Sequence, residues 1–335
     1  MKTLNVGVIG CGAIGKAHIR RLIERVPGAE VCGVTDFVPA AAADIANQYG
    51  LRCFDSAEAL INDPETEAVL IASSDPSHAG YVLSCIEARK PVLCEKPLAL
   101  TAADCERILA AEQAAGQRFV QVGFMRRYDP GYQEIKRTID EGTLGAPLLI
   151  HACHRNVYQP DTFQTDMAIT NVAIHELDIS RWLMNDEYDC AQVLSVRQNS
   201  HTNGDYLNPQ LVLLKTRAGA RIVVEVQSSC AYAYDIRCEV VGETGTVSLP
   251  DPPRATCRTQ AACTTPLMTD WSQRFIEAYE IELQAWVSAV LEGRAEGPSA
   301  WDGYAACVTA DALIRSRRTG NPEPVCLIEK PTIYR

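Results

Sequence analysis

Along the first 124 residues, short and almost wholly apolar runs alternate with longer stretches in which apolar positions recur at helical spacing. The runs LNVGVIG (4–10), EVCGVTD (30–36), EAVLIAS (67–73), PVLCEKP (91–97) and RFVQVGF (118–124) predict β-strands. Residues 14–25, 38–48, 76–88 and 101–115, rich in Ala, Leu, Ile and Glu, predict the helices between them. Strands without a polar face are buried on both sides, so this alternation predicts a parallel sheet covered by helices.

After Asp129 the rhythm changes. A helix is expected over 129–141, ending near Gly142, then the segment APLLIHACHR, a loop, and a helix at about 168–184. Strand-like segments at 190–199, 209–217, 220–230, 235–242 and 245–249, with turn signals RAGAR and GETG, predict an antiparallel meander. The Pro-, Thr- and Cys-rich stretch 250–270 predicts irregular chain, and helices at 272–292 and 300–318 follow. The pattern as a whole is an α/β protein: an N-terminal α/β domain (1–123), then an α+β domain (124–335) with a large, mainly antiparallel, open-faced sheet.

Composition narrows the function classes. The 335 residues are 47% hydrophobic and 22% charged, as in ordinary globular domains, and the length suits two of them. With 31 Lys plus Arg against 42 Asp plus Glu the net charge is −11, which argues against nucleic acid or an anionic membrane as partner. No apolar run approaches the roughly 18 residues of a membrane span, and the run after Lys2 passes straight into glycines instead of forming a signal-peptide core, so a soluble cytoplasmic protein is expected. The 14 cysteines are scattered without a C-x-x-C pair and read as reduced thiols serving as small core residues. His151, Cys153 and His154 are the nearest thing to a metal cluster, but strand alternation turns His154 to the face opposite the other two. No metal is expected.

The first predicted strand runs into Gly10-Cys11-Gly12-Ala13-Ile14-Gly15, a G-x-G-x-x-G that opens a helix. The first glycine allows a tight turn and the second lets backbone approach a pyrophosphate. The third lets helix and strand pack closely, while the helix start supplies N–H donors. Asp36 ends the second strand about 20 residues further on, where a carboxylate can accept from an adenosine ribose and would repel a 2′-phosphate. Phe37 and Val38 bring no arginine to offset that charge, so NAD is expected over NADP.

Two features carry reaction chemistry. Glu95-Lys96-Pro97 ends the fifth strand, where open parallel sheets place ligand-contacting residues, and a lysine there can donate to a reacting oxygen. By itself it also reads as a surface lysine before a loop. Asn171 and His175 lie four apart in a helical stretch and so share a face, with carboxylates nearby at Glu176 and Asp178. A neutral imidazole is a natural proton acceptor near neutral pH, although a hydrogen-bonded core histidine fits the same pattern.

The glycine fingerprint, the Glu95-Lys96-Pro97 triplet, VQVGFMRRYD (120–129) and the Asn171…His175 helix together resemble the Gfo/Idh/MocA oxidoreductase family. The likeness extends through HRN, TDMAI, IHELD, PSAWDGYAA and TADA, and so covers nearly the whole chain. It implies an N-terminal Rossmann dinucleotide-binding domain and a substrate-binding, oligomerising second domain. It also implies NAD-dependent oxidation of a ring secondary alcohol, myo-inositol to 2-keto-myo-inositol, with Lys96 as catalytic lysine, His175 as acid/base and Asn171 as the third catalytic position. Cofactor contacts are implied at Gly10, Gly12, Ala13, Ile14, Asp36, Ser73, Ser74, His78, Glu95, Lys96 and Gln121. Polyol contacts are implied at Lys96, Met125, Arg126, Asn156, Asn171, Val172, His175 and Tyr234; core packing is the other reading of Met125 and Tyr234. Members resembling this chain are commonly homotetramers.

One departure stands out. Inositol-oxidising members normally carry Asp and Thr where this chain has Asn171 and Val172. Asn can hydrogen-bond a hydroxyl but cannot stabilise an imidazolium as a carboxylate does. A related cyclitol, aminocyclitol or sugar dehydrogenase, or a catalytically silent NAD-binding sensor, therefore remain as alternatives, and the retained Lys96 and His175 favour an enzyme.

Overall fold

The computed structural model describes residues 2–200, 202, 206–251 and 254–335. The chain divides into two compact units: one takes the stretch up to Met125 with Glu277–Val308 and Leu327–Arg335, the other Arg126–Ile276 with Thr309–Cys326.

In the first unit the elements are β1 (Leu4–Ile9), α1 (Ala13–Glu24), β2 (Ala29–Thr35), α2 (Pro39–Tyr49), β3 (Arg52–Cys53), α3 (Ala57–Asn62), β4 (Ala68–Ile71), α4 (His78–Glu87), β5 (Val92–Glu95), α5 (Ala102–Ala115) and β6 (Val120–Gly123). The strands form a parallel sheet in the order β3-β2-β1-β4-β5-β6. Every residue of β4 and β5 is buried, as strands covered on both faces must be. The short β3 and α3 carry too few residues to show a period, and the sequence pattern does not reveal them. Sheet order reverses between β1 and β4, so the crevice outside their carboxyl ends is where a doubly wound sheet takes its ligand.

The second unit contains α6 (Pro130–Asp140), β7 (Pro147–Arg155), α7 (Ile174–Met184), β8 (Tyr188–Ser195), β9 (Gln210–Thr216), β10 (Arg221–Gln227), β11 (Asp235–Gly242), β12 (Thr246–Ser248), β13 (Cys257–Thr259), β14 (Ala262–Thr264) and α8 (Trp271–Arg274). The chain then runs through α9 (Ile276–Leu291), α10 (Ala300–Thr319) and β15 (Glu323–Pro324). Asp129 starts α6 by accepting from the N–H groups of Gly131 and Tyr132, with Pro130 at the first helical position, where its missing N–H costs nothing.

The large sheet runs β12-β11-β7-β10-β9-β8-β15. Here the expected meander needs correction. β8, β9 and β10 follow one another antiparallel, but β7 enters between β10 and β11 and runs parallel to β10. Adjacent turns fix local pairing, whereas the insertion of β7 depends on contacts distant in sequence. On β9 and β10 alternate residues Val212, Leu214, Ile222 and Val224 are fully buried, while Leu211, Leu213 and Val223 on the other face are only half-buried. The stretch 250–270 is irregular except for the exposed β13–β14 hairpin; Pro252 and Pro253 lie outside the described residues.

The chain leaves the first unit after Met125 and returns to it twice, so the units are not consecutive in sequence, as the single expected boundary near 124 has them. The reason is packing: Leu283, Trp286 and Val287 of α9 join Val6, Val8, Val34, Leu70 and Leu93 in one apolar core. Among the described residues no helix is long and apolar enough to cross a membrane.

Candidate functional site

The three glycines of the first turn do three separate jobs. Gly10 has φ +104°, open to a residue without a side chain, and a Cβ there would sit 2.4 Å from the Ala72 carbonyl oxygen at the end of β4. A Cβ on Gly15 would lie 2.0 Å from the Gly10 carbonyl oxygen, so helix and strand approach as closely as backbone allows. A Cβ on Gly12 would meet nothing within 4 Å: the space in front of it is open. Gly12 is also the N-cap of α1 and, having no side chain, caps none of the first-turn N–H groups itself. Open space before uncapped N–H donors at a helix start fits a pyrophosphate.

Asp36, just past β2, accepts from Cys11 N at 2.6 Å and from Val38 N at 2.7 Å. The two N–H groups fix the carboxylate beside the glycine turn, and Phe37 next to it is fully exposed, bringing no cation. Burial and the nearby Asp36 carboxylate push the Cys11 thiol up to about 12, so it stays protonated. NAD therefore fits the residues present: the turn for its diphosphate, Asp36 for its ribose.

Beyond β4, Ser73 Oγ and Ser77 Oγ are 2.7 Å apart. The buried His78 ring reaches the Ser73 carbonyl oxygen with Nε2 (3.1 Å) and the Pro97 carbonyl oxygen with Nδ1 (2.7 Å). His78 thus ties the loop after β4, including exposed Ser74, to the Glu95-Lys96-Pro97 segment, whose Lys96–Pro97 peptide is cis. Glu95 is 6% exposed; its Oε1 meets His18 Nε2 at 2.7 Å and its Oε2 accepts from Lys96 N at 3.2 Å. Burial alone would raise the Glu95 pKa, but these partners outweigh it and leave the group below its ordinary range. Lys96 itself is half-buried. Gln121 is buried, bridges to Ser299, and lines a cavity of about 660 Å³ with Arg118, Phe119, Trp286 and Ile333, none of them an expected cofactor contact. Met125, 2% exposed, opens the 3₁₀ turn Met125–Tyr128.

In the second unit, residues Ala168–Ala173 form a π-helical segment that passes into α7. Such wide turns are rare and occur mostly at functional positions. Asn171 lies within it and accepts from Thr170 Oγ1 at 2.8 Å, Val172 is buried, and His175 stands at the start of α7 with 8% exposure. The carboxylates expected near His175 each hold an arginine. Glu176 is ion-paired with Arg126 and 2.9 Å from His154 Nδ1, and Asp178 accepts from Arg127 Nε at 2.9 Å. Consecutive helix positions point about 100° apart, which turns Glu176 away from His175.

Arg126 is fully buried with its guanidinium on Glu176 and with Nη2 3.0 Å from His154 Nδ1. Burial opposes both charges, yet the pairing wins: the Glu176 pKa falls and the Arg126 pKa rises. The His154 ring is edge-on to Tyr234 (centroids 5.8 Å) and 6.2 Å from His175. Burial pushes the Tyr234 phenol up to about 12, against the pull of Arg126, so it remains a neutral hydroxyl. Asn156 is anchored by its backbone, donating to Gln227 O and accepting from Cys230 N, both at 2.9 Å. His154 and His18 were missed as supporting residues. For His154 the alternation of β7 already gave the signal, since it faces inward while His151 is exposed; His18 shows only as a histidine on an apolar helix face.

The geometry thus offers a nucleotide cradle with a lysine after β5, and separately a buried polar network around His175. Comparison with known proteins agrees. The family described as "Oxidoreductase family, NAD-binding Rossmann fold" matches residues 4–124, and "Oxidoreductase family, C-terminal alpha/beta domain" matches residues 136–327. The chain is similar to the inositol 2-dehydrogenases of Burkholderia cenocepacia (49% identical) and Ralstonia nicotianae (50%), each over 335 residues and 99% of both chains. It is also similar to the crystal structure of myo-inositol dehydrogenase from Lactobacillus casei in complex with NAD(H) and myo-inositol: TM-score 0.97 and 38% identity over 99% of this chain and 100% of that one. A putative myo-inositol dehydrogenase from Sinorhizobium meliloti follows at TM-score 0.88 and 27% identity, over 97% and 100%. Since both halves are matched along almost their full length, the chain belongs to the Gfo/Idh/MocA oxidoreductase family.

Proposed function

We propose that this protein oxidises myo-inositol to 2-keto-myo-inositol with NAD. The full-length likeness to inositol 2-dehydrogenases carries the reading, and the retained Lys96 and His175 support it. Held by the glycine turn and Asp36, NAD would supply the hydride acceptor for the carbinol carbon. Lys96 donates to the reacting oxygen and stabilises the negative charge that develops there. His175 takes the hydroxyl proton on a ring nitrogen. Asn171 and the Tyr234 hydroxyl hold ring hydroxyls of the polyol, with Met125, Asn156 and Val172 shaping its surroundings. Arg126, its guanidinium committed to Glu176, acts by fixing Glu176 and His154 beneath Tyr234 and His175. Gly10, Gly12, Ala13, Ile14 and Asp36 hold the nucleotide, with Ser73, Ser74, His78, Glu95 and Gln121 continuing that surface toward Lys96. The reaction uses no metal, Lys96 serving as the electrophile.

The half-buried apolar face of the large sheet, with Leu211, Leu213 and Val223, supports a homotetramer built on that face. A cytoplasmic location suits the chemistry, in which NAD is drawn from the soluble pool. The test is NADH absorbance across a panel of inositol isomers, aminocyclitols and sugars. Turnover is expected with myo-inositol and NAD. Preference for another ring reassigns the substrate, and NAD binding without turnover on any polyol makes the protein a sensor.

A further inference from the structure

The hydrogen bond between α1 and the end of β5 has no part in the chemistry above, yet it lies directly beneath the proposed catalytic lysine. We propose that His18 is a positioning residue that holds Lys96 through the Glu95 carboxylate; the inference rests on the reading of Lys96 as the electrophile.

His18 is fully buried on α1, and its Nε2 donates to Glu95 Oε1 at 2.7 Å. The other carboxylate oxygen accepts from the backbone N–H of Lys96 at 3.2 Å. One carboxylate therefore links the imidazole to the peptide from which the lysine side chain springs. Glu95 has little room to adopt another position: a Cβ on Gly123 of the neighbouring β6 would already lie 3.0 Å from its Oε2. The imidazole is held in turn. Its ring is edge-on to Tyr279 of α9, with centroids 5.5 Å apart, and the Arg21 guanidinium lies 4.6 Å from the centre of that tyrosine ring. A buried carboxylate is costly unless every lone pair has a donor, so the His18 contact is what allows an anion to remain at the end of β5. Without it the carboxylate is left short of a donor; it then takes up a proton, which weakens its acceptance from the Lys96 N–H, or turns away from the His18 side within the little room it has and shifts that contact.

α1 also carries the glycine turn, so a general loosening of α1 and a specific loss of lysine placement make different predictions. His18→Leu fills the space without a donor; His18→Gln restores an N–H near Nε2; His18→Asn ends about 1.5 Å short of it. His18→Leu is expected to lower kcat by ~10-fold to ~10²-fold, the scale of an ångström-sized misplacement, while NAD affinity measured by fluorescence titration stays within about threefold. His18→Gln should recover most of the kcat and His18→Asn should not, a contrast that survives if the Leu variant fails to fold. In a Lys96→Ala background His18→Leu should cost almost nothing further, because the group it positions is gone.

A loss of NAD affinity parallel to the loss of kcat, an equal defect in Gln and Asn, or additive losses with Lys96→Ala each overturn the proposal. Lys96→Ala on its own separates the two readings: if it leaves kcat intact, Lys96 is not the electrophile. If it is damaging but additive with His18→Leu, only the positioning role fails.

Discussion

Removing the Arg126 cation should unfold the second unit more readily, by an amount that depends on pH. Arg126 and Glu176 are each 1% exposed, and the carboxylate's other partner is His154 Nδ1 at 2.9 Å. In Arg126→Leu the buried Glu176 anion keeps only the His154 ring as partner, and removing one partner of a buried pair typically costs ~3–5 kcal/mol. At ~2–4 °C per kcal/mol for a unit of this size, the melting temperature should fall by ~6–20 °C. The sign of the pH dependence follows from the same contacts. In the native protein Glu176 has a lowered pKa, so its pairing contributes above the unfolded pKa and is lost as acid protonates it. In the variant, burial acts with less opposition and raises the folded pKa above the unfolded one. The penalty is then full at high pH and lifts as pH falls through that raised value, by ~1.4 kcal/mol for each unit of elevation. Urea unfolding at pH 8 and pH 6 should therefore show a larger deficit at pH 8, and Arg126→Met with Glu176→Leu should recover much of the stability because no unpaired charge remains. A deficit below ~1 kcal/mol at pH 8, or one that widens toward pH 6, would refute this account of the network.

Replacing Asp36 with Ser and Phe37 with Arg should erode NAD use and admit NADP, as kcat/KM for the two cofactors would reveal; NADP use by the unmodified protein contradicts the role given to Asp36. Lys96→Ala should lower kcat by at least ~10² while exhaustive EDTA treatment leaves turnover unchanged; activity that is lost to chelation and returns with zinc would replace the lysine with a metal as electrophile. Asn171→Asp should move the acidic limb of the kcat/KM profile upward, since a carboxylate near His175 favours the imidazolium; coincident limbs would mean that residue 171 does not sense the titrating base.

Much of the nucleotide half can be read along the chain, because its signals are local. The first two strand runs, the glycine spacing and Asp36 all lie within the first 36 residues, and each glycine meets in space the demand its position suggests. Partner choice is less legible. Periodicity says that His154 faces inward but not that Glu176 awaits it, and adjacency in sequence placed Glu176 beside His175 although helical rotation gives it to Arg126. The place of β7 in its sheet and the return of α9 to the first unit are likewise settled by pairings across large sequence separations. Asn171 is the plainest chemical difference visible in sequence, and its placement in a π-turn is not, since a six-residue segment is too short to show a period of its own.

The interleaving of the two units sets the order in which a cell can finish this protein. Translation delivers β1 to β6 early, but Leu283, Trp286 and Val287, which cover Val6, Val8 and Leu93, are added only after nearly all of the second unit has been synthesised. Later still comes Tyr334, whose hydroxyl meets the buried Glu112 that holds the start of β6 through Val120 N at 2.8 Å. In the interval the nascent sheet shows water an apolar face of the kind that chaperones bind and that aggregates when they are scarce. A ribosome stalled before residue 277 would carry the complete glycine fingerprint yet is expected to hold NAD poorly, so cofactor capture marks the completed chain and not the completed motif.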